Sequence, residues 1–415
     1  MDVVKIIKKN MAIIIPAVIA AAALLLLIPS VMLRGKISNK LEESASLGRS
    51  INSMLNTIVS SRQPEIEKKH QDSHEIDANQ IDKLAMQTTQ RELLSYKIFP
   101  DPNETSMQIF NEFKREYNTA FAGYVKNLKA LDAPTDNEIR KLAGSVTISA
   151  GNESYSPGTK GDDKIVELIC KSRSQEIPVY ANPWVFSGYA FWDNWEYKGT
   201  ESAVKDCWYC QLACWIHQDV IDTINSINAG SSSVDESSVK RLLSVKFTEG
   251  TRDSGLDLPV YVNETVGGLC QPWTGRKCNE KIDVVHFKVS AIVRADDVLK
   301  FMSALCSEKE HNFAGYKGEL SPEKYKHNQI TVLESSITPV DRNSAENKRY
   351  YYGSDAVVSL DLICEYVFNR QGYDVIKPQS ISDDIAGTSS TGSPSYDSGN
   401  QGGGYGMPGM PGGMQ

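Results

Sequence analysis

The densest group of chemically capable side chains is Cys207-Trp-Tyr-Cys210-Gln-Leu-Ala-Cys214-Trp-Ile-His217. Thiolate and imidazole are ligands that zinc takes, and C-x2-C is also a spacing of redox dithiols. In a helix all four side chains share one stripe, but Cys207 and His217 then stand about 15 Å apart along the axis. One tetrahedral ion, with Zn–S near ~2.3 Å, cannot reach all of them. The stripe therefore reads as a packing face of small apolar groups, with a disulfide or redox role and a metal site at Cys207, Cys210, Cys214 and His217 as alternatives. Cys270 and Cys278 bracket a loop containing Gly and Pro, where a disulfide would pin the turn; a free or metal-bound pair is the alternative. Cys170, Cys306 and Cys364 lie on apolar faces and read as buried.

Other patterns fail on spacing. His70 and His74 have helical i,i+4 spacing beside Glu67 and Asp77, but they sit in a charge-rich stretch that reads as a solvated face. Gly151 to Lys160 (GNESYSPGTK) has six residues between its glycines and Thr before Lys, so the phosphate-loop geometry is not met. No G-x-S-x-G occurs. These patterns lead us to expect no enzymatic activity and no cofactor. A second dense group is aromatic: Trp184, Phe186, Tyr189, Phe191, Trp192, Trp195 and Tyr197. Exposed, Trp184, Trp192 and Trp195 would form a stacking platform for glycan chains such as a cell-wall polymer. Buried, the same rings would wedge a loop against a neighbouring domain.

The elements that carry these groups follow from periodicity. Residues 202–229 read as a helix bounded by Gly230, and 241–247 as a strand. A second strand spans about 282–294, with Val285, Phe287, Val289, Ala291 and Val293 on one face. A helix follows through Val298, Phe301, Met302 and Leu305, then a strand near 329–338. The last strand alternates Ala356, Val358, Leu360, Leu362, Cys364, Tyr366 and Phe368 with more polar neighbours. The order helix, strand, strand, repeated once, predicts an α+β two-layer sandwich of ferredoxin-like type.

Upstream, Phe110, Phe113, Tyr117, Phe121, Tyr124, Leu128 and Leu131 step by three and four, which is the seam of a helix–helix contact. Residues 34–131 read as a helical stalk that pairs through this seam, with itself or a related chain; an intramolecular helical hairpin is the alternative. Residues 132–201 form an irregular aromatic-rich connection, and 202–378 the sandwich. Residues 379–415, ending GGGYGMPGMPGGMQ, read as a disordered tail.

Charge and hydropathy set the remaining limits. With 44 basic and 52 acidic residues the net charge is −8, which argues against a general nucleic-acid binder. The mean hydropathy of −0.34 conceals one apolar run, Met11 to Leu33, without a charged, amide or imidazole side chain. As a helix it would be about 34 Å long, enough to cross a hydrocarbon core of roughly 30 Å. It is too long for a cleaved signal peptide and reads as an uncleaved anchor, with residues 1–10 as a cytoplasmic tail. Eight cysteines in the remainder fit an oxidising compartment.

A short tail, one anchor, a helical stalk and a doubled αββ order resemble the PilO family of type IV pilus assembly and the GspM proteins of type II secretion. The local similarity is best at Val285-His286-Phe287-Lys288-Val289, Asp297 to Leu305 and Ile330-Thr331-Val332. The resemblance implies a non-enzymatic scaffold in the bacterial inner membrane, with its bulk in the periplasm. It further implies a homodimer or a heterodimer with related single-pass membrane proteins. The chain departs from that family in its length, its aromatic insertion, its loop cysteines and its tail.

Overall fold

The computed structural model describes residues 11–56, 63–150, 160–248, 257–263 and 268–387. The chain divides into two units, Met1–Gln80 and Ile81–Gln415. The boundary therefore falls some fifty residues before the expected end of the stalk, because residues 81–131 are built into the second unit.

The first unit contains α1 (Met11–Asn56) and most of α2 (Gln63–Gln87). Ile37, Leu41 and Ile51, the apolar positions expected to form a seam, are 55, 65 and 55% exposed. Leu55 and Ile58 lie outside the residues whose side chains are described, as do residues 12–14 and 26–32 of the apolar run. Among the described residues, no helix is long and apolar enough to cross a membrane. Residues 1–10 also lie outside the description.

The second unit is built around α6 (Thr200–Ile227), which follows α3 (Met107–Asn127), α4 (Asp136–Ala150) and α5 (Lys160–Glu176). The Ser106 hydroxyl caps α3 by accepting from the Gln108 amide at 3.1 Å. The α3 stripe is buried within the second unit. Phe110, Phe113, Tyr117, Phe121, Tyr124 and Leu128 are buried in one core with Cys207, Cys210 and Cys214 of α6, and the buried His217 ring packs against Phe121 and Tyr124. Leu131 is left 48% exposed. A three-and-four stripe demands an apolar partner, and α6, apolar on two sides, supplies it within the chain.

The four-stranded sheet has the order β1 (Val239–Lys246), β2 (Ile282–Arg294), β6 (Val357–Asn369), β5 (Ile330–Pro339), antiparallel throughout. Phe287 lies opposite Cys364, Val289 opposite Leu362 and Ala291 opposite Leu360. This face shares a core with α6 and with α7 (Val298–Leu305). Alternation of apolar residues at period two makes such a face obligatory. Between α7 and β5 an additional hairpin, β3 (Lys309–Phe313) with β4 (Glu323–His327), forms its own two-stranded sheet. The architecture is thus helices on an antiparallel sheet, an α+β fold.

The two edges of the sheet differ. The backbone of the aromatic connection runs beside β1: the Tyr180 amide donates to the Lys240 carbonyl at 2.9 Å and the Ser187 amide to the Val245 carbonyl at 3.0 Å. The other edge, β5, is exposed from Glu334 to Pro339. Contrary to a tail starting at 379, Gln379–Ala386 forms α8, with Ile381 fully buried and Asp384 bridged to Lys205 at 2.9 Å. Residues 388–415 lie outside the described residues.

Candidate functional site

Helix α6 brings the sequence's most chemical motif into the buried core. Cys207, Cys210, Cys214 and His217 are all buried. Burial pushes the Cys207 and Cys210 thiols well up and Cys214 to about 12, so these groups are protonated at neutral pH. His217 is ringed by Phe121, Tyr124, Phe186 and Phe247, with ring centroids 5.3–6.1 Å away. Neither of its nitrogens has a hydrogen-bond partner, and burial lowers its pKa to about 3. Among the described residues, no group of three or more His, Cys, Asp or Glu side chains is placed to hold a metal ion. The exposed pair His70 and His74 lies on α2.

All eight cysteines are free thiols, including Cys270 and Cys278. Cys278 is occupied otherwise: its sulfur accepts from the Val284 amide at 3.2 Å. The loop is held to the sheet by buried Glu365, which accepts from Thr274 at 3.0 Å and pairs with Arg276 at 2.7 Å. Opposite Glu365 on β2, His286 is hydrogen-bonded through Nδ1 to the Leu269 carbonyl at 2.9 Å.

The strongest polar cluster has no counterpart in the sequence motifs. Asp219 of α6, almost fully buried, accepts Arg91 through both carboxylate oxygens at 2.8 and 3.1 Å. Its Oδ2 also accepts the Tyr366 hydroxyl at 2.6 Å and lies 2.9 Å from His327 Nε2. His327 Nδ1 is 2.9 Å from His311 Nδ1, and His311 Nε2 is 3.0 Å from the Gln90 carbonyl. Burial by itself would raise the Asp219 pKa, but the Arg91 charge and the His327 and Arg91 hydrogen bonds outweigh it and hold the carboxyl well below its ordinary range. Burial lowers His311 to about 4. The chain 88–94 is thereby fixed to α6, β6 and the β3–β4 hairpin.

The aromatic connection separates into buried and open parts. Trp192 is fully buried against Phe113 and Tyr117. Trp195 is half-buried, its indole N–H donating to Asp206 at 2.8 Å. Neither offers a free face of the kind a three-tryptophan platform requires; area burial has taken them into the wedge. Trp184 alone of the three is half open, at 51% exposure. It borders a cleft of about 170 Å³ lined also by Asp132, Asn182, Arg241 and Tyr350.

The cleft is a fixed polar frame. Tyr350 donates its hydroxyl to Asp132 Oδ1 at 2.6 Å, the Ala133 amide donates to the same oxygen at 2.8 Å, and Asn182 donates to Oδ2. The Arg241 guanidinium lies 3.4 Å from the Tyr350 ring centroid, and its Nη1 reaches Asn347 at 3.3 Å and Tyr352 at 3.4 Å. Stacked and tethered on one nitrogen, the guanidinium holds one orientation. A neighbouring cleft of about 420 Å³ shares Arg241 and Leu243. Apart from Trp184, this frame was not singled out from sequence, since residues 132, 182, 241 and 350 follow no local pattern.

No family model matches the chain, and no curated protein matches it. Among solved structures it is similar to three from Akkermansia muciniphila. One, described as lacking its transmembrane region, is 10% identical, with 61% of this chain and 98% of that chain covered at a TM-score of 0.23. A second is 11% identical over 63% of this chain and 96% of its own, also at 0.23. The third, described as a core domain, is 9% identical over 61% and 98%, again at 0.23. At that TM-score the likeness carries no argument about fold or activity.

Proposed function

We propose that the chain is a single-pass scaffold of the bacterial inner membrane, N-terminus in the cytoplasm and bulk in the periplasm, of the PilO/GspM kind. It would serve assembly of a type IV pilus or a type II secretion-like envelope machine by dimerising and by contacting related single-pass proteins. The observation that supports this reading is that two halves, each a helix and a pair of strands, share one antiparallel sheet, the second half interrupted by the β3–β4 hairpin, downstream of the uncharged run 11–33. Because the 110–128 stripe is consumed by α6, pairing in this reading falls to other surfaces, of which the open β5 edge is the foremost.

The test is affinity purification of the full-length chain from detergent-solubilised native membranes, with mass spectrometry of what accompanies it. Other single-pass envelope proteins are expected in stoichiometric amounts. Recovery as a lone monomer, or recovery in the soluble fraction, overturns the proposal.

A further inference from the structure

The 170 Å³ cleft beside Trp184 has a composition that the assembly role does not use. Its volume is small against the roughly 300–1,000 Å³ typical of pockets for drug-sized ligands, so it suits one ring. The half-open Trp184 supplies an aromatic face at the rim. Asp132 already accepts three donors through its carboxylate, from Tyr350, Ala133 and Asn182. A carboxylate has about four lone-pair sites, so one acceptor position is left for a ligand hydroxyl.

Arg241 is the more selective element. The guanidinium donates from Nη1 to Asn347 and Tyr352. Nε and Nη2 make no hydrogen bond among the described residues, and the residue is only half-buried. The plane cannot rotate freely because Tyr350 lies against it. A guanidinium held in this way presents a pair of parallel N–H donors, the geometry that matches a carboxylate in bidentate fashion.

We propose that this cleft is a subsite for a carboxylated pyranose, with the ring against Trp184, the carboxylate on the Nε/Nη2 edge of Arg241 and a ring hydroxyl donating to Asp132. The site is independent of the assembly reading, since it lies wholly within the second unit and needs no partner chain.

Two probes that differ by one carboxylate test it. N-acetylmuramic acid is N-acetylglucosamine carrying a lactyl ether, and each is titrated calorimetrically into the purified full-length chain. The acid is expected to bind saturably and at least about tenfold more tightly than the neutral sugar, one bidentate charge-assisted contact being worth that much or more. Trp184→Ala, at an exposed position, is expected to weaken the acid by about tenfold with an unchanged thermal melt. Arg241→Lys keeps the charge but loses the fork, and is expected to abolish the preference for the acid. Equal affinity for the two sugars, no saturable binding of either, or an unaltered affinity in Trp184→Ala each overturns the proposal. If Arg241→Lys does not fold, the comparison of the two sugars on the unmodified chain decides.

Discussion

Replacing His217 by Leu should change both the neutral-pH stability and the acid limb of the second unit, by amounts that follow from its surroundings. The imidazole is fully buried, ringed by four aromatic side chains and unpartnered at both nitrogens. Its folded-state pKa is about 3, against 6.5 for the free side chain. Below pH 6.5 the unfolded chain binds a proton that the folded chain refuses, so stability falls as pH drops from 6.5 towards 3 and is constant above 6.5. Each pH unit inside that window is worth about 1.4 kcal/mol, so this residue alone removes on the order of 3 kcal/mol between pH 6.5 and 4. Leu is close to His in volume and has no polar atom to desolvate, so the variant is expected to be more stable at pH 7 by about 1 kcal/mol after repacking. All six tryptophans lie between residues 184 and 273, so urea unfolding of the full chain followed by tryptophan fluorescence reports on this unit. Curves measured at pH 7, 5.5 and 4 should show a shallower decline for His217→Leu. Parallel pH profiles for the two proteins, or a variant clearly weaker at pH 7, would refute the reasoning.

Arg91→Met should cost about 3–5 kcal/mol, because it strands the buried Asp219 carboxylate among Tyr366 and His327. The double variant Arg91→Met/Asp219→Leu should recover much of that loss; a single-variant loss under about 1 kcal/mol in the same urea assay contradicts the buried-pair account. Alkylation of the native chain with N-ethylmaleimide at pH 7.5, mapped by mass spectrometry, should spare Cys207, Cys210, Cys214 and Cys364 until urea is added, since burial keeps these thiols protonated and inaccessible. Rapid native labelling of Cys210 would count decisively against that placement.

Strands β2 and β6 were legible because their alternation is long and strict, and helix α6 because its apolar content is continuous to Gly230. The α3 stripe was equally legible as a buried face, yet periodicity says only that a face must be covered and not by what. Its partner, α6, begins 73 residues after α3 ends, and nothing local encodes that distance. The helical spacing of Cys207 to His217 placed the four groups on one helix stripe, while the full desolvation of the group came only from packing. Arg91, Asp219, His311 and His327 escaped notice for a related reason: Arg91 and Asp219 are 128 positions apart, and each alone looks like an ordinary surface charge. The β3–β4 hairpin is polar and short, with no apolar alternation to announce it. Trp184, Trp192 and Trp195 were grouped as one platform, but exposure divides them: Trp192 is buried, Trp195 half-buried and Trp184 half open.

The attachments of residues 89–94 have a mechanical meaning. Thr89 donates to the Asn369 carbonyl, Gln90 meets His311, Arg91 grips Asp219, and the Leu94 amide donates to Gln211. Four anchor points within six residues bind different parts of the second unit: the end of β6, the inserted hairpin, and two positions along α6. Tension arriving along the backbone from the N-terminal side therefore meets these bonds first, shared at once between the end of β6, the inserted hairpin and α6. Such a clamp gathers strain into one short segment, residues 89–94, and spreads it over several elements of the second unit.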